Sequence, residues 1–230
     1  MMKKPSVLLL HGAIGSKTQF ASWLPLLEPY FNCHTFNFAG HGEDTNNSEF
    51  SIPVFAEQTL NYTQNHISEP VYVFGYSMGG YVGLYIAQNY PQSIHKLFTF
   101  ATKLAWSIET AQKEIKMLNP ETIQQKVPKF AQELELRHTG IGWKTVLEKT
   151  SGLMMELGKN PLISTDTVKN IAIPVQMGVG DKDVMVSIEE THSICKNIPH
   201  SNFCVLPNTL HPIEKIDTKT IIPLITTFFT

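Results

Sequence analysis

Short apolar runs, each bounded by turn-forming residues, recur along most of the chain. Runs of this kind, without polar alternation, are typical of strands that are buried on both faces of a parallel sheet. The six strongest lie at 7–10, 34–38, 71–74, 97–100, 175–177 and 203–206. They predict a mostly parallel sheet of about six strands.

Helical patterns fill most of the intervals between these runs. Apolar residues recur at three- and four-residue spacing, as at Phe20, Trp23 and Leu27, which is the pattern of amphipathic helices. Alternating strands and helices predict an α/β fold, with the helices flanking the sheet. The alternation stops between 103 and 161, where a Lys- and Glu-rich helical pattern contains no convincing strand. We therefore predict an α/β core of 1–102 and 162–230 and a helical cap, 103–161, inserted over the edge of the sheet that carries the site.

The composition allows a large core and excludes strongly charged partners. Of the 230 residues, 42% are hydrophobic and 17% are charged, and the formal net charge is -2. This balance provides no large field of either sign to hold a nucleic acid or an anionic membrane surface. We expect a small-molecule substrate, no nucleic-acid or membrane partner, and a monomer or homodimer.

Two features bear on the cellular compartment. The first apolar run follows two lysines, as in an export signal, but it stops at His11, and export segments need roughly 7–15 apolar residues. No stretch approaches the roughly 20 apolar residues of a membrane span. Cys33, Cys195 and Cys204 are odd in number and lack metal-ligand spacing, which favours free thiols in a reducing compartment. These features predict a cytoplasmic protein.

The third apolar run leads directly into a candidate nucleophile. Residues 75–79 read Gly-Tyr-Ser-Met-Gly, and a helical pattern follows at once. In this strand–turn–helix context a G-x-S-x-G motif forms a tight elbow that lifts the serine oxygen above the sheet. We therefore predict Ser77 as a nucleophile.

A serine nucleophile needs a base to take its proton and a carboxylate to hold that base in the correct tautomer. Two later runs end in suitable residues: one in a glycine turn with Asp181 and Asp183, the other in a loop with His211. Both runs are predicted strands, and sites of α/β sheets lie at strand ends. His211 is the predicted base, and either aspartate could be the acid.

These motifs, in this order, resemble the α/β-hydrolase superfamily. In that family the acid commonly follows a glycine by three positions, which favours Asp183 after Gly180. The sequence His-Gly-Ala-Ile-Gly at 11–15 resembles the family's oxyanion loop. By this resemblance the backbone amides of Ala13 and Met78 form the oxyanion hole, and His11 supports the loop.

Two other sites are rejected. Residues 15–18 read Gly-Ser-Lys-Thr, a near miss for a phosphate-binding loop, which requires glycine directly before the lysine. His11 and His41 could suggest a metal site, but no coherent third ligand accompanies them. His41 lies in a turn, Asn-Phe-Ala-Gly-His-Gly at 37–42, that resembles a conserved turn of the same family. We expect neither a cofactor nor a metal.

The resemblance also places residues beside the nucleophile. The expected pocket residues are Ile14, Phe38, Tyr76, Val184 and Met185, to which the cap adds Met117, Met154 and Met155. Such a lining is mostly apolar and adaptable in shape. Arg137 is the one arginine of the sequence, so a carboxylate-rich substrate is disfavoured.

The resulting hypothesis is a serine hydrolase that cleaves a small, mostly apolar carboxylic ester or thioester through an acyl-enzyme. Two alternatives remain open. One is a lyase or C–C bond hydrolase with the same triad, since the elbow is also similar to that of menaquinone-pathway synthases, which usually carry arginine where Tyr81 stands here. The other is a ligand receptor that has kept the fold and some hydrolysis.

Overall fold

The computed structural model describes residues 4–67, 69 and 71–230. The described residues form one six-stranded sheet in the order β2-β1-β3-β4-β5-β6, and every neighbouring pair is parallel. The strands are β1 (Ser6–Leu10), β2 (Asn32–Thr35), β3 (Val71–Tyr76), β4 (Ile94–Phe100), β5 (Val175–Gly180) and β6 (Ser201–Leu206). The prediction of a parallel α/β sheet of about six strands is confirmed.

Helices lie on both sides of this sheet. The α-helices are α1 (Leu24–Leu27), α2 (Ile52–His66), α3 (Met78–Asn89), α4 (Ile108–Ile115), α5 (Pro120–Lys126), α6 (Pro128–Arg137), α7 (Trp143–Lys159), α8 (Ile188–Cys195) and α9 (Thr218–Phe229). Short 3₁₀ turns occur at Lys17–Phe20, Lys116–Leu118, Thr167–Asn170 and Ile213–Lys215. Among the described helices, none has the length and apolar character needed to cross a bilayer.

The sheet separates two apolar clusters. All five residues of β1 are buried, and alternate side chains point to opposite faces. Val7 and Leu9 join a cluster formed with α9, whereas Leu8 and Leu10 join the larger cluster with α2, α3 and the cap. Burial on both faces explains why the core strands are uninterrupted apolar runs.

The second strand lies earlier in the chain than predicted. The run at 34–38 was expected to be a strand, but β2 ends at Thr35, opposite Leu9 of β1. β2 is an edge strand, and its last ladder pair, Thr35 with Leu9, lies one residue before the end of β1. Phe36 and Phe38 then turn inward, and their rings stack on Tyr62 and Phe55 of α2.

The segment 103–161 contains α4, α5, α6 and α7 and no strand, and all of its residues are described. Its buried apolar residues, among them Leu134, Val146 and Leu147, belong to the same apolar cluster as Leu8 and Leu10 of the core. Helix α7 also contributes Leu153, Met154 and Leu157 to that cluster. The cap is therefore packed onto the sheet layer.

Helix α3 approaches β1 so closely that one position has no room for a side chain. A Cβ atom at Gly79 would overlap the carbonyl oxygen of Leu10 and lie 2.6 Å from the Leu10 carbonyl carbon. Gly152, in α7, has nothing within 4 Å of its Cβ position. The two glycines thus form a matched pair for testing this contact.

We predict that Gly79→Ala lowers the free energy of unfolding by about 1–3 kcal/mol. The added methyl group would clash with backbone atoms, which cannot move aside as a flexible side chain could. Gly152→Ala should raise the free energy of unfolding by up to about 1 kcal/mol, because alanine is the better helix former. Urea denaturation measures both. Equal stability of the two variants would contradict the close approach of α3 to β1.

Candidate active site

Ser77 lies between β3 and α3 with φ 51° and ψ −115°. A positive φ is uncommon for a residue with a side chain and costs on the order of 1–3 kcal/mol. The turn is fixed by the Ser77 amide, which donates to the Phe100 carbonyl of β4 at 2.8 Å. A Cβ atom at Gly75 would lie 2.6 Å from the Gly79 carbonyl carbon, which explains the first glycine of the motif. The side chain of Ser77 faces a cavity at the carboxyl edge of the sheet.

Three of the predicted side chains meet at this edge. Ser77 Oγ is 3.3 Å from Nε2 of His211, and Nδ1 of the same ring is 2.8 Å from Oδ2 of Asp183. Because the carboxylate accepts the Nδ1 proton, Nε2 is left with a free lone pair facing Ser77. This is the geometry that a histidine base needs.

Asp181 and Asp183, between which the sequence pattern did not decide, have different hydrogen-bond partners in the structure. Asp183 has a fully buried side chain, and its Oδ1 accepts the amides of Met185 and Val186 at 2.9 Å each. Asp181 instead accepts the Thr209 amide at 3.1 Å. Asp183 therefore contacts His211, and Asp181 holds the loop that follows β6.

Tyr76 was expected in the pocket wall, but its hydroxyl donates to the backbone carbonyl of His211 at 2.7 Å. The side chain is buried, and burial is the main cause that raises the pKa of Tyr76 far above its usual range. The phenol thus stays protonated and holds the His211 backbone.

The loop after β1 supplies a second feature. The Gly15 amide donates to the Gly12 carbonyl at 3.1 Å, closing a turn over 12–15. Within the described chain, no protein acceptor pairs with the amide of Ala13 or of Met78, and both residues line the cavity beside Ser77. Two free amides next to a serine oxygen are suited to stabilise negative charge on a bound carbonyl oxygen.

The cavity holds about 430 Å³ of empty space, counting its open mouth. Its lining is mostly apolar and comes from the core and from the cap. The residues are Ala13, Ile52, Ser77, Met78, Tyr81, Lys103, Trp106, Leu153, Met154, Leu157, Met185 and His211.

Of the five expected pocket residues, all of them described, Met185 alone lines this cavity. Val184 is 87% exposed, because the neighbouring Asp183 turns inward and the next side chain points to solvent. Phe38 packs edge-on against His11 in the core. Ile14 has a positive φ of 52° and packs, partly buried, against the larger apolar cluster.

Of the three cap methionines expected in the pocket, all of them described, one lines the cavity. Met154 lines the cavity. Met117 is 75% exposed, and Met155, beside Met154 on α7, is not among the lining residues. Helix α7 lines the cavity with Leu153, Met154 and Leu157, which share one side of the helix, and Met155 lies off that side.

Sequence reasoning missed Lys103, which enters the cavity from the end of β4. Its Nζ donates to the Met185 carbonyl at 2.9 Å, lies 3.7 Å from the Glu114 carboxylate, and sits 5.8 Å from the centre of the Trp106 ring. Its position just after a strand, at the edge where sites of α/β sheets lie, was the available signal.

Three buried histidines lie behind the loop after β1. Burial lowers the pKa of His11 to about 3 and of His138 to about 4, and it also lowers that of His41. All three are therefore neutral near pH 7. No three His, Cys, Asp or Glu side chains of the described chain are grouped to hold a metal ion.

Solved structures with this fold include enzymes of several kinds. A thermophilic esterase from Thermogutta terrifontis superposes with a TM-score of 0.78 at 20% identity, covering 99% of this chain and 90% of that chain. An enol-lactonase from Burkholderia xenovorans gives a TM-score of 0.76 at 15% identity, with 99% and 92% covered. At such identities the likeness concerns the fold.

Curated relatives match a part of the chain. A pimeloyl-[acyl-carrier protein] methyl ester esterase of Vibrio campbellii is 30% identical over 105 residues, 46% of this chain and 40% of the relative. A Haemophilus influenzae protein provisionally named 2-succinyl-6-hydroxy-2,4-cyclohexadiene-1-carboxylate synthase is 32% identical over 88 residues, 36% of this chain and 33% of the relative. The matches thus span well under half the length of these relatives.

A match to a family model shows to which protein family the chain belongs. The model of the alpha/beta hydrolase fold matches residues 5–147, which is more than half of the chain and includes β1, β3 and the elbow. The resemblance drawn from the sequence motifs is confirmed, and the chain belongs to the alpha/beta hydrolase family.

Proposed function

We propose that this protein is a serine hydrolase that cleaves a small, mostly apolar carboxylic ester or thioester through an acyl-enzyme on Ser77. The observation that carries the proposal is the array in which Ser77 Oγ lies 3.3 Å from His211 Nε2, while His211 Nδ1 lies 2.8 Å from Asp183. The two free amides beside Ser77 complete it.

The array supports a balanced two-step reaction. His211 takes the proton of Ser77 as Oγ bonds to the substrate carbonyl carbon, and the carbonyl π pair moves to oxygen, where the amides of Ala13 and Met78 stabilise it. When the carbonyl re-forms, the bond to the leaving alcohol or thiol breaks, and His211 returns the proton to that group. Water then attacks the acyl-enzyme by the same route, which releases the acid and restores Ser77.

The relatives support ester chemistry. The Vibrio campbellii relative is named as a methyl ester esterase, and the Thermogutta terrifontis structure is of an esterase. The apolar lining of the cavity favours an acyl group with little charge. These points together favour a carboxylic ester or thioester as substrate.

A second candidate is the lyase or C–C bond hydrolase reaction, which the Haemophilus influenzae relative favours. An anionic substrate would need a cation in the cavity. Arg137, considered for that purpose from the sequence, instead donates to the Ile14 carbonyl at 3.1 Å and pairs with Glu214 at 3.3 Å. Lys103 is the cation that lines the cavity, and Glu114 offsets its charge.

The first prediction concerns the nucleophile. A fluorophosphonate probe should label Ser77, because the array raises the reactivity of this hydroxyl. Ser77→Ala should abolish labelling and lower turnover of p-nitrophenyl butyrate by several orders of magnitude. Ser193→Ala, on α8, is the matched control and should leave labelling intact. Labelling that persists in Ser77→Ala would show that the nucleophile lies elsewhere.

The second prediction separates the two aspartates. Asp183→Asn should lower kcat by about 10⁴-fold, because an amide donating to Nδ1 leaves the proton on Nε2, where Ser77 needs an acceptor. Asp181→Asn is its matched control, since an asparagine oxygen can still accept the Thr209 amide, and its kcat should stay near that of the native protein. Steady-state kinetics with p-nitrophenyl butyrate measure both. The reverse order of losses would make Asp181 the acid.

The third prediction concerns the acyl group. In a p-nitrophenyl ester series from acetate upward, kcat/KM should rise up to a few-fold per carbon until the cavity is full, since each buried CH₂ contributes at most about 0.8 kcal/mol. Acyl esters that end in a free carboxylate should be slower than neutral ones of equal length.

Lys103→Met tests the role of the lysine cation in the cavity wall. The variant should leave the preference for neutral esters in place. If carboxylate-bearing esters were faster with the native protein, and Lys103→Met removed that advantage, the substrate would be anionic and the apolar interpretation wrong.

A further inference from the structure

Two side chains of the cap form hydrogen bonds with the loop that carries Ala13. At the end of α6, Arg137 Nη1 donates to the Ile14 carbonyl at 3.1 Å, and His138 Nε2 lies 2.9 Å from the same oxygen. Nδ1 of His138 accepts the Gly42 amide at 3.0 Å, so the ring proton must be on Nε2, directed at Ile14. Two donors of the cap therefore converge on one carbonyl oxygen of the core.

This carbonyl belongs to a strained residue. Ile14 has φ 52°, and a positive φ in a β-branched residue is an outlier. Such a conformation persists only where its surroundings enforce it. The donors from Arg137 and His138 hold the Ile14 carbonyl on one side of the turn.

Two peptide groups connect these hydrogen bonds of the cap to the Ala13 amide. The Ile14 carbonyl and the Gly15 amide belong to one planar peptide unit, and the Gly15 amide donates to the Gly12 carbonyl at 3.1 Å. The Gly12 carbonyl and the Ala13 amide belong to the next such unit. In a trans peptide the C=O and N–H point in opposite directions, so fixing the Gly12 carbonyl aims the Ala13 amide the other way.

His11 supports the Gly12–Ala13 peptide group. His11 Nε2 accepts the Phe38 amide at 3.1 Å, so its proton is on Nδ1, which donates to the Gly12 carbonyl at 2.8 Å. The Gly12 carbonyl thus accepts two hydrogen bonds, one from the ring of His11 and one from the turn. Of these two donors, the Gly15 amide is linked to the cap.

The positive charge of Arg137 lies at the end of this series of hydrogen bonds that is farthest from the Ala13 amide. The Arg137 side chain is 17% exposed, and Glu214, its partner at 3.3 Å, is 52% exposed. Consecutive hydrogen bonds polarise one another in a low-dielectric interior. A cation on the Ile14 carbonyl therefore makes the Gly15 amide, and in turn the Ala13 amide, a stronger donor.

We propose that Arg137 is a positioning residue for the oxyanion hole, acting on the Ala13 amide through the peptide groups of Ile14–Gly15 and Gly12–Ala13. The inference rests on the proposed function, since it assigns the amide of Ala13 to the carbonyl oxygen under attack. It gives the cap a role in the chemical step, beyond lining the cavity.

The test compares Arg137→Met with Lys129→Met, which removes an exposed cation from the same helix. With p-nitrophenyl butyrate, Arg137→Met should lower kcat by about tenfold to 10³-fold with KM within about twofold, because the lost interaction acts on the transition state. The affinity for butylboronic acid, whose serine adduct is anionic and tetrahedral, should fall by a similar factor. Lys129→Met should match the native protein in all three quantities.

Arg137→Lys provides the second variant, since it keeps a cationic donor within reach of the Ile14 carbonyl, and it should recover most of the lost kcat. Thermal unfolding identifies any variant that does not fold. Native kcat and boronate affinity in Arg137→Met, or loss confined to KM, would overturn the proposal. So would a lysine variant that folds and is no faster than the methionine one. Failure of the fluorophosphonate to label Ser77 in the native protein would instead overturn the proposed function.

Discussion

The parallel direction of the strands is the constraint on which the site depends. Because the six described strands run the same way, every loop that leaves a carboxyl end emerges at one edge of the sheet. The loops after β1, β3, β5 and β6 thereby bring Ala13, Ser77, Asp183 and His211 together from distant parts of the chain. A reversed strand at any of these places would carry its residue to the opposite edge.

The parts of the molecule that could be predicted are those in which local sequence and local structure coincide. Buried strands appear as apolar runs because both faces are covered. Ser77 could be found because a tight strand-to-helix turn requires particular glycines, and His211 because it follows a strand at the correct edge. The acid was ambiguous on the residues alone, since Asp181 and Asp183 share one loop and differ only in which way each side chain turns.

The cavity wall could not be predicted in the same way. Adjacency to a motif says nothing about side-chain direction, which is why Val184 is exposed although Asp183 beside it is fully buried. Another part of the lining, formed by Leu153, Met154 and Leu157, comes from α7, whose register against the sheet is a matter of tertiary packing. Arg137 presented a similar difficulty, because its partners Ile14 and Glu214 lie 123 and 77 residues away in the chain.

The junction between cap and core has a consequence for protein engineering. An inserted helical cap looks separable from the sheet that carries it. Replacing it with the cap of another protein of this fold is therefore an obvious engineering step. Here the cap holds Ile14 through Arg137 and His138, and it holds the Met185 carbonyl through Lys103. A chimera that replaced this cap to broaden substrate choice would also remove supports from two loops of the candidate site. A successful graft would therefore need to keep these three side chains as if they were part of the core.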